Sequence, residues 1–352
     1  MSSLAYSGLG LNYTYGYDTL GNITSVVKNG STEATYAYDL QNQLVSETVG
    51  GNTYAYNYDT VGNLMSVQKN GSTIKSYTYG DSAWADLLTA FTVNGVTGSI
   101  TYDNVGNPLT YYNGTSYAMT WTPERRLATL TGGGKSISYA YDMDGIRTSK
   151  TVNGTTTSYT TVSGQVVRET TGSTVIDFAY EDTGAPYAMR YNGSIYYYLL
   201  NLQGDVVGLV DAYGNTVASY SYDAWGNVLS ATGSLAAINP LRYRGYYYDS
   251  ETGFYLTGMR YYDPGIGRFI NADTTDVLSV AVLSIEDKNL FAYCDNNPVI
   301  RADHGGDFWH IVVGAVVGQI VISSLKNTSI LCEKQVCLIC WKIILSITLS
   351  IM

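Results

Sequence analysis

The feature that most limits what this chain can become is a short unit, Tyr-x-Tyr-Asp-x-x-Gly-Asn, that keeps returning along it. It stands as Tyr15-Gly16-Tyr17-Asp18 with Gly21-Asn22, as Tyr56-Asn57-Tyr58-Asp59 with Gly62-Asn63, and as Tyr220-Ser221-Tyr222-Asp223 with Gly226-Asn227. A fourth copy, Tyr102-Asp103 with Gly106-Asn107, lacks only the first Tyr, and worn copies stand at Tyr36–Asp39, Tyr139–Asp142 and Tyr180-Glu181. Successive copies are 21, 20, 44, 39, 39 and 42 residues apart, so the period is near twenty with some units degraded. A fixed period of this size means one small supersecondary unit, stacked on copies of itself to bury its apolar face.

The unit reads as a β-hairpin. Tyr-x-Tyr puts both rings on one face of an extended strand, because side chains alternate sides. Asp-x-x-Gly-Asn supplies turn chemistry: the Asp carboxylate accepts from backbone amides further on, while Gly and Asn tolerate positive φ. About midway between these turns lies Asn-Gly, at Asn29, Asn70, Asn94, Asn113, Asn153 and Asn192, each followed by Gly. Asn-Gly between β-prone runs predicts a two-residue type I′ hairpin. Runs such as Ser158–Val162 and Val166–Thr170 have the Thr, Val and Tyr content of half-buried strands. The predicted class is all-β, a long coiling sheet of hairpins. Low-complexity disorder, the competing reading of Tyr, Gly and Asn bias, does not account for the regular spacing.

Composition removes several functions. With 19 Lys plus Arg against 29 Asp plus Glu the chain carries a net charge of −10, and no basic stripe interrupts residues 1–240, so nucleic acid is not expected as a partner. The two histidines, His304 and His310, and the four cysteines, Cys294, Cys332, Cys337 and Cys340, all lie late in the chain. No Ser/His/Asp or Cys/His set, no His-ligated zinc and no disulfide framework can be assembled before them. Three late thiols without a fourth ligand do not predict a zinc site, and neither metal nor cofactor is expected. The opening Met1–Tyr6 has neither a basic nor an apolar leader region, so secretion would need another signal or further N-terminal sequence.

From about residue 240 the pattern changes. Arg260-Tyr-Tyr-Asp263-Pro-Gly-Ile-Gly267-Arg268-Phe269 is followed by Asn289-Leu-Phe-Ala-Tyr-Cys-Asp-Asn-Asn297-Pro298. Together with the Tyr-Asp repeats, these two segments resemble the RHS/YD-repeat family and its RHS repeat-associated core domain, over about residues 10–310. The resemblance implies a cage of β-hairpins that encloses a C-terminal toxin or effector, with the core plugging one end, in a secreted or cell-surface bacterial protein. It divides the chain into repeats at 1–239, the associated core at 240–307 and a hydrophobic remnant at 308–352. It also implies that Asp263, Asp273 and Asp303, supported by Arg260 and Arg268, are candidates for an aspartic-protease-like self-cleavage. One carboxyl would hold a proton while another activates water. The plainer reading is that the arginines, Arg301 included, pair with these aspartates and pin the plug. The family's Asp-Pro-x-Gly boundary reads Asp303-His304-Gly305-Gly306 here, a departure that counts against cleavage.

Two further expectations concern surfaces. Tyr rings with Trp84, Trp121 and Trp225 offer a carbohydrate-binding alternative, although rings at strand spacing more often line the wall. Asn113-Gly-Thr and Asn192-Gly-Ser match glycosylation acceptors but coincide with hairpin turns. The apolar run 308–325, with Gly314 and Gly318 spaced for close helix approach, predicts a short helical tail that spans a bilayer or is buried in the cage. Residues 326–352 lose Tyr and Gly, which suggests a frameshifted or truncated end without a complete toxin domain.

Overall fold

The computed structural model describes residues 3–273, 289–303, 305 and 310–311. The late thiols, His304, Asp307 and the rest of the run 308–325 lie outside these residues. So does the helical tail, of which only His310–Ile311 is described; it pairs as a short antiparallel strand with Arg301–Ala302.

The repeats form two antiparallel sheets of 10 and 14 strands in which every strand pairs with its neighbours in sequence. The first runs from Ser3–Tyr6 to Val96–Ser99 and the second from Thr101–Tyr102 to Val228–Thr232. Local conformation follows from the repeat chemistry. At the turn after Tyr58, the Asp59 N–H donates to the Asn63 carbonyl and the Gly62 N–H donates back to Asp59. Asp59 Oδ1 accepts from the amides of Val61 and Asn63 at 3.0 and 2.8 Å, and Oδ2 accepts from the Asn63 side chain at 2.9 Å. Gly62 sits at φ 81°, where a Cβ would be strained. The same bonds recur at Asp18, Asp103 and Asp223.

The two tyrosines of each unit do different work. The second one reaches sideways. Tyr38, Tyr58, Tyr141 and Tyr222 donate to the carbonyls of Ile23, Leu44, Leu127 and Val206 at 2.7–2.8 Å, and Tyr79, Tyr102 and Tyr180 do the same to Leu64, Leu88 and Val166. Each acceptor stands at, or for Leu88 just before, the opening of the strand after the previous turn, so the hydroxyl ties one hairpin to the last. Where the unit has lost its Tyr, the Trp121 indole N–H makes the equivalent bond to Pro108 at 2.7 Å. Immediately before most of these turns the register slips by one residue, as between Asn57/Tyr58 and Ser221/Tyr222. A β-bulge at a repeated place increases local twist and bends the strand, which accounts for the coiling of the ribbon.

The first tyrosine of the pair points into the interior. Tyr15, Tyr56, Tyr77, Tyr139 and Tyr220 are buried, and pairs such as Tyr13/Tyr15 and Tyr220/Tyr222 stack with centroids 6.4 Å apart. The two sheets meet there without strand pairing: the Tyr6 hydroxyl bridges the Leu200 carbonyl and amide at 2.9 and 3.0 Å, and Tyr15 accepts from the Leu202 N–H at 3.0 Å. Five of the six Asn-Gly pairs take positive φ at both residues, as type I′ requires. Asn113 does not, because its side chain is turned inward to Asp263.

Against the interior face lies a four-stranded sheet running from Tyr247–Asp249 to Arg268–Phe269. Its rings Tyr255, Tyr262 and Phe269 join Tyr243, Tyr246 and Tyr293 in one fully buried aromatic cluster, with Tyr262 and Tyr293 stacked at 4.1 Å. A charged lock fixes this sheet to the wall. Arg147 and Lys150 bind opposite oxygens of Asp249 at 2.7 and 2.8 Å, and the Arg147 guanidinium lies against the rings of Tyr159 and Tyr247 at 4.7 and 4.8 Å. Burial alone would raise the Asp249 carboxyl, but Arg147 and Lys150 outweigh it and hold it below the ordinary carboxylate value of 3.8.

Replacing Tyr58 by Phe orphans the Leu44 carbonyl and is expected to cost about 1 kcal/mol, with β circular dichroism unchanged; chemical denaturation of the variant checks it, and unaltered stability would count against the sideways bond. The Asp249 carboxylate contributes stability that is complete above pH 4 or so and is lost as pH falls through its depressed folded value. Asp249→Asn leaves buried Arg147 without a carboxylate while Lys150 keeps Glu251 at 2.8 Å, so it should lower stability at pH 7 by about 3 kcal/mol and flatten the acid limb of the stability–pH curve.

Candidate functional site

The candidate site is the surface on which residues 240–273 and 289–303 meet the turns of the repeats. Its centre is the last turn, Asp223–Asn227, where three buried hydroxyls arrive, two from the inner sheet and one from the short turn Tyr243–Gly245 that leads into it. Tyr243 donates to the Ala224 carbonyl at 2.9 Å, Tyr262 to Trp225 at 2.7 Å and Tyr255 to Gly226 at 2.9 Å. The Asn227 amide donates to the Pro264 carbonyl at 2.9 Å. Trp225 occupies the turn position that exposes Leu20, Val61 and Val105 elsewhere, and here it is buried against Tyr56.

The segment 289–299 runs across the turns of the first sheet. Asn289 donates to the Asn63 side chain at 2.7 Å, Asn296 to the Gly62 carbonyl at 2.7 Å, and Asn297 to the Asn22 side chain and the Asn42 carbonyl at 3.0 and 2.9 Å. Ala272 donates to the Gly106 carbonyl, and Arg125 holds the carbonyls of Ala272 and Asp273. The repeat residues Asn22, Gly62, Asn63, Gly106 and Asn227 are thus turn formers and docking points at once. Buried Arg244 ties the carbonyls of Gln203, Pro298 and Val299 together beside Asp205.

The five predicted core residues do not form one centre. Asp273 and Asp303 come together on Arg260, whose NH2 lies 2.7 and 3.7 Å from their carboxylates and whose guanidinium covers the Phe269 ring at 3.7 Å. Both aspartates are buried. Asp263 stands apart. It accepts from the Tyr111 hydroxyl at 3.0 Å, the Asn113 amide at 2.8 Å and the Gly265 N–H at 2.7 Å, and burial raises its carboxyl despite these bonds. Arg268 binds the Tyr79 hydroxyl and the Asp86 carbonyl, both at 2.7 Å. Arg301 pairs with Asp295 at 2.9 Å. The rings offered as sugar platforms turn elsewhere: Trp84 packs on Phe291, Trp121 bonds Pro108, and Trp225 is buried. Among the described residues no group of His, Cys, Asp and Glu is placed to hold a metal ion, and no helix is long and apolar enough to cross a membrane.

Sequence reasoning missed Arg147, Lys150 and Glu47. Their signal is positional. Strand openings place buried side chains at the first and fourth residues, as in Ile23/Val26, Leu64/Val67 and Leu127/Leu130. The same slots read Leu44/Glu47 and Arg147/Lys150 in two other strands. A charge in an otherwise apolar slot must find a buried partner, which here is Asp249 for the cations.

Comparison with known proteins agrees with this architecture. The family model Teneurin YD-shell matches residues 7–299. The tRNA3(Ser)-specific nuclease WapA of Bacillus spizizenii is 37% identical over 207 residues, which are 56% of this chain and 9% of that protein. Salivary gland surface protein 1 of Aedes aegypti is 27% identical over 219 residues, 55% of this chain and 6% of the other. The chain therefore spans less than a tenth of the length of these curated relatives. Among solved structures, the Photorhabdus luminescens Tc holotoxin pore aligns with a TM-score of 0.64 at 20% identity, covering 90% of this chain and 17% of that one. TcdB2–TccC3 without its hypervariable C-terminal region aligns at 0.61 and 19% identity, over 84% and 17%. Repeated hairpin turns read by an inner aromatic sheet, and a family match across nearly all of the described wall and core, make this chain a member of the Teneurin YD-shell family.

Proposed function

We propose that the chain is the closing segment of a shell that houses a C-terminal toxin or effector and delivers it, in a secreted or surface-associated bacterial protein. The division into repeat wall at 1–239, core at 240–307 and variable remnant at 308–352 belongs to this reading. The observation that carries it is the docking of residues 240–273 and 289–303 onto the repeat turns: a wall whose turns are engaged by an inner plug is built to close a space. The toxin-related relatives and the Tc shell likeness support the same role. The inward direction of the buried tyrosines favours it over a glycan-binding surface, which needs rings turned to solvent.

A disordered reporter peptide with one protease site, fused after residue 352, tests the reading. Cleavage is expected at least about tenfold slower in the folded fusion than in the free peptide, on the principle that proteolysis follows the population of open states. Equal rates would remove the housing role.

Self-cleavage by the core is a second reading, favoured by Arg260 gathering buried Asp273 and Asp303. In it, one carboxyl takes a proton from the attacking water and the other gives one to the departing amide nitrogen. Intact-mass measurement is expected to find a C-terminally shortened wild-type chain and a whole Asp273→Asn chain. A whole wild-type chain would end this second reading and leave the housing role standing.

A further inference from the structure

We propose that Glu47, Asp223 and Lys75 form a proton-operated latch that holds the first sheet against the final repeat turn and releases it as pH rises. The latch joins parts far apart in sequence. Glu47 lies in strand Leu44–Val49 and is 1% exposed. One of its carboxyl oxygens meets the Tyr56 hydroxyl at 2.5 Å; the other accepts from the Ala224 N–H at 2.8 Å, across 177 residues. Ala224 belongs to the turn whose carbonyls receive the hydroxyls of Tyr243, Tyr255 and Tyr262, so Glu47 grips the point where both sheets and the core converge.

The charges around this point do not balance. Lys75, on the adjoining strand Ser72–Thr78, donates to the Gly265 carbonyl at 2.7 Å and faces three carboxyl groups, Asp223, Asp263 and Glu47. The other titratable groups facing Glu47 are the hydroxyls of Tyr36, Tyr38, Tyr56 and Tyr58, which are neutral at physiological pH. One ammonium cannot offset three carboxylates, of which Glu47 and Asp263 are buried, so a proton is retained. Burial first, and Asp223 second, push the Glu47 carboxyl up to about 8, against the opposing bonds from Tyr56 and Ala224 and the charge of Lys75.

Space for water lies beside the cluster, at Lys75 and Asp223. A cavity of about 20 Å³ is bounded by Lys75, Asp223 and Trp225, enough for about one water, and the Trp225 indole N–H has no protein partner. Asp223 and Ala224 also line a cavity of about 770 Å³ that reaches the Gly50-Gly51 turn. Below pH 8 the neutral Glu47 carboxyl shares a hydrogen bond with Tyr56 and accepts from Ala224. Above it, two carboxylates face each other across the seam, and their repulsion drives the turn from the strand. The sign follows from linkage. The folded chain holds this proton more tightly than the unfolded one, so the stabilisation is full below pH 4.5 and declines as pH climbs to 8.

Denaturant unfolding of the full chain between pH 5 and 9 tests the latch, together with hydrogen exchange at residues 223–227 referenced to strand Leu127–Gly132 and corrected for intrinsic rates. The wild-type unfolding constant is expected to rise by at least about tenfold between pH 5 and 8, with the turn opening selectively. Glu47→Gln, neutral and nearly isosteric, should flatten both responses. The proposal is overturned if exchange at the wild-type turn is insensitive to pH from 6 to 9, a measurement that needs no variant, or if Glu47→Gln keeps the wild-type slope.

Discussion

A buried phenol must find an acceptor for its hydroxyl, and this fold is organised around meeting that demand. Most repeats carry two rings and use them differently. The second ring donates to the strand of the preceding hairpin, which sets the lateral spacing of the wall. The first points inward: Tyr15 accepts from the other sheet, Tyr77 donates to the core and Tyr56 to Glu47, while Tyr139 packs on Tyr261 with its hydroxyl lacking a hydrogen-bond partner. Phe in either position would preserve the apolar area and lose the address. The Tyr-rich composition is therefore a wiring requirement as much as a packing one, and the Trp121 indole shows that any ring with a donor at its tip can serve.

The core uses the same currency from the other side. Tyr243, Tyr255 and Tyr262 find their acceptors in consecutive carbonyls of one turn, and the asparagines of 289–297 find theirs in turns that the Asp-x-x-Gly-Asn motif has already rigidified. Charge is added only at a few slots, Arg147 with Lys150 on one wall strand and Glu47 on another. At the first, cations meet Asp249 and the balance favours the ionised pair; at the second, carboxyls outnumber the single Lys75 and the balance favours a retained proton. Equivalent strand positions thus yield a lock that gives way only in acid and a seam that loosens as pH rises, according to which sign of charge is in excess.

Much of this was legible in the sequence. Tyr-x-Tyr-Asp-x-x-Gly-Asn and Asn-Gly specify a hairpin and its two turns locally, so the all-β ribbon follows from residues close in the chain. The turn at Asp211–Asn215 was missed because it keeps Asp-x-x-Gly-Asn without the preceding Tyr-x-Tyr, Gly208 and Val210 standing in those places, and lies twelve residues from Asp223, out of phase with the period. Thr122–Arg126 and Asn201–Asp205 keep the turn geometry with other residues. The candidate site was only partly legible. Asp273, Asp303 and Arg260 are gathered as their proximity to arginines suggested, whereas Asp263 belongs to a separate pocket made by Tyr111 and Asn113 from 150 residues upstream. No local pattern can announce a partner that the coiling of the ribbon alone brings near.

The contacts that seat the inner sheet on the Asp223–Asn227 turn are directed at main-chain oxygens, not at side chains. A carbonyl is supplied by every residue type, so the wall can drift in sequence at Ala224 or Trp225 without withdrawing the acceptors that the plug needs. Divergence is then restricted chiefly to keeping the bend itself, which offers a physical reason why one architecture survives in chains that share about a fifth of their residues.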